Sequence, residues 1–134
     1  MRGGTANCSV IISDVEIGSP IVENPDLLVA MNLPSLDKYE DKVMSGGSII
    51  VDSSLIKRKV NRDDVSVIYL PATQIAGENN FPTLANMIIA GRLLKEMNMN
   101  LANVNAVLAK IVSARHQDLI EVNKTAIKMG FESN

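Results

Sequence analysis

Aromatic side chains are nearly absent from this chain: it holds two Phe, two Tyr and no Trp among 134 residues. Apolar residues still make up 46% of it, so the core must be aliphatic, assembled from Ile, Leu, Val, Met and Ala. The shortage also removes the ring platforms on which single-stranded nucleic acid stacks. A net charge of −2 with mixed signs offers no broad positive field to a phosphate backbone. Both features argue against a nucleic acid partner. No apolar run approaches the ~18 residues that a membrane-spanning helix needs, and no basic segment followed by an apolar stretch opens the chain as a signal peptide would. A single cysteine, Cys8, cannot build an internal disulfide framework and fits a reducing cytoplasm. A single histidine, His116, leaves no cluster of imidazoles for a metal and no spare base for a catalytic triad.

What is present reads as one α/β domain over 1–134, long enough at 14.5 kDa to bury roughly two thirds of its unfolded surface. Asn7 to Ser13 is rich in β-branched residues and predicts a first strand, with Cys8 a buried thiol inside it. Leu27 to Asn32 follows the Asn24-Pro25-Asp26 turn and predicts a second, fully buried strand. Pro34-Ser35-Leu36-Asp37 starts a helix that should stop before Ser45-Gly46-Gly47. Ser48 to Asp52 predicts a third strand, and Val65 to Leu70 a fourth.

The second half is helical. Ala72 to Glu78 is a short helix, and Leu84, Met87, Ile88, Gly91, Leu94 and Met97 recur at the helical period behind Pro82. Leu101 to Ile111 repeats the pattern with Asn100 as its expected N-cap. Leu119 to Met129 forms the last helix, with Gly130 expected as a left-handed cap. Strands first and helices last imply a three-layer α/β sandwich on a mostly parallel or mixed sheet, with a helical carboxy-terminal part.

Candidate chemistry is sparse. Arg2-Gly3-Gly4-Thr5 can form a backbone concavity for an anion beside a guanidinium, or a plain turn ahead of a strand. Asp14 with Glu16, and Asp63 with Asp64, are turn acids whose ordinary place is in solvent or at a cap. Lys57-Arg58-Lys59 with Arg62 reads as a wet basic loop. His116, before the last helix, reads as solvated. There is no phosphate loop, no Gly-x-Gly-x-x-Gly, no Cys-x-x-Cys and no nucleophile elbow. Residue by residue, no catalytic apparatus and no metal site emerge.

The order of the motifs is more telling than any one of them. Met1-Arg2-Gly3-Gly4-Thr5-Ala6-Asn7-Cys8, Ile12-Ser13-Asp14, Gly18-Ser19-Pro20, Pro25 to Asn32 and Gly46 to Asp52 together resemble the gamma subunit of 2-oxoacid:ferredoxin oxidoreductases. Pro71-Ala72-Thr73, Ile75-Ala76, Ala85-Asn86-Met87 and the closing Asn123, Ala126, Gly130 and Phe131 extend the likeness over nearly the whole chain. The Arg-Gly-Gly-Thr-Ala-Asn-Cys form looks most like the 2-oxoglutarate branch. The resemblance implies a non-catalytic subunit of a complex that oxidatively decarboxylates a 2-oxoacid (2-oxoglutarate, pyruvate or a branched-chain acid) to the acyl-CoA. It places thiamine diphosphate, Mg and iron–sulfur clusters in partner subunits, ferredoxin and CoA on the complex, and no cofactor on this chain. It also implies that Arg2, Gly3, Gly4 and Thr5 face the partner or CoA, in a cytoplasmic assembly without membrane or nucleic acid. The family's usual opening, a strand and a Gly-x-Gly-Gly-Gln-Gly loop, has no counterpart in these residues, so an amino-terminally truncated domain with an open sheet edge is expected. The competing expectation is a stand-alone α/β module that binds a small ligand or a protein and has no enzyme activity.

Overall fold

The computed structural model describes residues 6–112 and 114–134. Three parallel strands form its sheet in the order β1-β2-β3: β1 Leu27–Ala30, β2 Ser48–Asp52 and β3 Ser66–Leu70. Leu27 sits opposite Ser48, and Ser48 opposite Ser66, so the three strands start level. Near-continuous Leu-Leu-Val-Ala and Ile-Ile-Val runs suit strands covered on both faces.

Side-chain alternation along β2 divides the interior in two. Ile49 and Val51 point to one face, where Ala30, Leu36, Val43 and Ile56 complete a buried cluster. Ile50 points to the other and packs with Leu70, Ala76, Ile88, Ile89 and Ala126. Helix α1 (Leu33–Tyr39) covers the first face. Helices α2 (Ala72–Glu78) and α3 (Ala85–Glu96) cover the second, and α5 (Asp118–Phe131) packs on α3. Helix α4 (Val104–Ile111) joins α3 to α5 and contacts the latter. The layers are helix, sheet and helices, on a wholly parallel sheet.

Local chemistry explains most boundaries. Asn32 caps α1, its Oδ1 accepting the Ser35 N–H at 2.9 Å, and Pro34 sits in the first turn where its missing N–H costs nothing. A single 3-10 turn, Glu40–Lys42, ends that helix. Gly46 takes φ +82, a left-handed value natural for glycine. At Gly47 a Cβ would come within 2.7 Å of the Asp26 carbonyl oxygen, so the chain passes too close there for any side chain.

Three expectations fail. Residues 7–13 form no strand: they run beside the domain without a ladder partner, as part of an exposed strap over residues 6–23. Asn100 does not cap α4; its Oδ1 accepts the Ala102 N–H at 2.9 Å in a local turn, and the helix begins at Val104. Gly130 does not end α5 in a left-handed cap but lies inside it, buried. A Cβ on Gly130 would collide with the Ile88 carbonyl of α3, and one on Gly91 with the Ile127 carbonyl of α5. The two glycines let the helix backbones touch, and that packing need, rather than chain reversal, explains the residue.

Candidate functional site

In open parallel sheets, ligands bind outside the carboxyl ends of the strands. Here that rim is occupied by the protein itself. Asp52, at the end of β2, is fully buried. One carboxylate oxygen accepts the Ser54 N–H at 3.0 Å; the other accepts the Thr73 hydroxyl at 2.6 Å and the Thr73 N–H at 3.3 Å. Ser54 Oγ accepts the Gln74 N–H at 3.0 Å. These two residues cap α2 from outside, because Pro71, at the cap position, has no side chain that can accept. Both oxygens of Asp52 are committed to structure, which leaves none aimed at a substrate. Sequence reasoning gave Asp52 no role; an acid closing a β-run ahead of a Pro-Ala-Thr helix start is the signal that points to it.

The basic loop is equally engaged. Arg58 bridges Asp37 and the buried Glu40, each at 2.6 Å, and Glu40 also accepts the Asn61 N–H at 3.2 Å. The hydrogen bonds that the Arg58 guanidinium donates to Glu40 and then to Asp37 raise its pKa. Arg62 donates to the Glu40 and Val43 carbonyls at 2.9 and 3.0 Å, adding to the Val43 N–H bond that Glu40 already accepts and tying the end of α1 and its 3-10 turn to the loop. It forms a two-pronged pair with Asp64, 2.6 Å on each prong. That pairing holds the Asp64 carboxyl at a pKa of about 2, below the ordinary range. The Lys59 ammonium stands 4.1 Å from the Tyr69 ring centroid. The expected wet loop is therefore a clasp of neutralised arginines that ties residues 53–65 to α1, and Arg58 and Arg62 are not available to an anion.

Of the residues singled out in the sequence, Arg2, Gly3, Gly4 and Thr5 lie outside the described residues. Cys8 is exposed on the strap, a correction to the buried thiol expected, because the strand that would have enclosed it does not form. Asp14, Glu16 and Asp63 are exposed, and so is His116. None of these groups converges with another. Among the described residues no three His, Cys, Asp or Glu side chains are placed to hold a metal ion. One cysteine in the whole chain cannot supply the thiolates of an iron–sulfur cluster. The residues present do not fit such a group.

Two apolar surfaces remain. A groove of about 480 Å³ runs between the end of α3 and α4, floored by Leu93, Leu108 and Ile127 and rimmed by Asn98, Asn100 and Asn103. Beyond it Val107 and Ile111 of α4 are 52% and 63% exposed. The strap carries the second surface, with Val10, Ile12, Val15 and Ile21 each more than 70% exposed. Contiguous apolar side chains turned outward in this way are the kind of surface that commonly marks an interaction site.

Comparison with known proteins agrees with that geometry. The family model described as pyruvate ferredoxin/flavodoxin oxidoreductase matches residues 1–133. The chain belongs to this family. A relative from Methanocaldococcus jannaschii, 2-oxoglutarate synthase subunit KorC, is 32% identical over 133 residues, spanning 98% of this chain and 70% of that protein. Ketoisovalerate oxidoreductase subunit VorA of Methanothermobacter thermautotrophicus is 40% identical over 93 residues, 69% of this chain but 19% of that protein. Among solved structures, the gamma subunit of a keto/oxoacid ferredoxin oxidoreductase from Geobacter sulfurreducens superposes with a TM-score of 0.69 at 25% identity, over 80% of this chain and 62% of that one. The α/β fold is that of the family, and among the described residues no helix is long and apolar enough to cross a membrane.

Proposed function

We propose that this chain is the gamma-type, non-catalytic subunit of a cytoplasmic 2-oxoacid:ferredoxin oxidoreductase. The complex would oxidatively decarboxylate 2-oxoglutarate, or a pyruvate or branched-chain relative, to the acyl-CoA and pass the electrons to ferredoxin. The observation that carries the reading is the alignment with the KorC subunit over 98% of the chain, joined to a carboxyl rim whose acid is spent on capping α2. In this reading thiamine diphosphate, Mg and the clusters belong to the partner subunits, and the chain contributes packing surface. Arg2, Gly3, Gly4 and Thr5 face the partner or CoA, where a guanidinium can hold a carboxylate or phosphate in a fork.

Affinity purification of the tagged chain from its host tests this. Companion subunits should come with it, and the eluate should reduce an electron acceptor when given a 2-oxoacid and CoA. The purified chain alone should form no acyl-CoA. Elution without companions, from cells whose 2-oxoacid oxidation survives deletion of the gene, would refute the subunit reading and leave the stand-alone binding module, with the α3–α4 groove as its site.

A further inference from the structure

We draw no further inference here: the strongest candidate, the apolar groove between the end of α3 and α4, has an uncharged rim of Asn98, Asn100 and Asn103, and nothing in the structure shows what covers it.

Discussion

Replacing Gly130 by Ala sets two effects of opposite sign against each other. Inside a helix, Ala is favoured over Gly by about 1 kcal/mol, because it restricts the unfolded chain and shields the backbone. At Gly130, however, the new methyl would fall on the Ile88 carbonyl of α3, with the Arg92 amide nitrogen at 3.1 Å. These are backbone atoms and cannot swing aside. The helices must separate by more than about an ångström, and a gap of even ~0.5–1 Å already forfeits a quarter to a half of each contact's dispersion energy. Ile88, Ile89 and Ala126 pack in that seam, and the Arg92 and Lys95 bonds to the Ser133 carbonyl, 2.6 and 2.9 Å, span it. Overpacking of a well-filled core costs about 1–3 kcal/mol, and more where backbone is displaced. We take roughly 3–4 kcal/mol for the seam, less ~1 kcal/mol of helix propensity, for a net loss of about 2–3 kcal/mol. For a chain of this length that lowers the midpoint of thermal unfolding by on the order of 10 °C. Gly77→Ala is the control: it lies in α2 with nothing within 4 Å of the added carbon, so only propensity acts and the midpoint should rise a few degrees. Urea and thermal melts of the three proteins decide the matter. A Gly130→Ala protein as stable as wild type would mean that α3 and α5 do not meet backbone to backbone.

Four further outcomes are expected. Asp52→Ala strips the acceptor from the Ser54 and Thr73 N–H groups and should cost about 3–4 kcal/mol in urea unfolding, against about 1 kcal/mol for Thr73→Val. Arg58→Met leaves Glu40 buried without its cation and should cost about 2–3 kcal/mol, largely recovered when Glu40→Gln is added, as a double-mutant cycle would report. The Asp64 pKa is about 2 when folded, against about 4 unfolded. Its contribution is therefore whole above about pH 4 and is lost as the pH falls towards 2, and Asp64→Asn should flatten stability over that window. In the assembled complex, Arg2→Ala should raise the CoA requirement several-fold or weaken assembly while leaving the melting midpoint of the isolated chain within a degree or two.

How legible the structure was depends on how local the cause is. Ser48–Asp52 and Ala72–Glu78 fall where composition and turn residues put them, and β1 and β3 start or end within two residues of expectation, because apolar runs bounded by Pro, Gly and Asp carry their own punctuation. Asn7–Ser13 has the same β-branched composition, but strand propensity measures fit to a half-covered pleated surface, and the single chain offers residues 7–13 no ladder partner. Gly130 was misread because a helix-ending glycine and a helix-contact glycine look alike until a second helix, separated by dozens of residues, is placed against it. At the rim, Asp52 and Thr73 stand 21 positions apart, beyond any window that reads spacing along one element. The clasp around Arg58 is hidden for the same reason: a run of cations looks solvated until Asp37 of α1 and Glu40 of the turn after it are placed against it. Family likeness, by contrast, was legible because it rests on the order of many small motifs and needs no contact at all.

The glycine seam also sets an order of events during synthesis. The sheet and α1 to α3 are complete in the chain by Glu96, so both faces of the sheet can be dressed early. The contact surface of α3 around Gly91 has no partner until Ile127 and Gly130 have been made. At ~5–20 residues per second that interval is about 2–8 s. For those seconds the bare backbone of α3 around Gly91 has no helix against it on a nascent chain, and a stalled or prematurely released ribosome leaves it so permanently. Slow codons placed between α4 and α5 should accordingly lower the soluble yield more than the same codons placed ahead of β1.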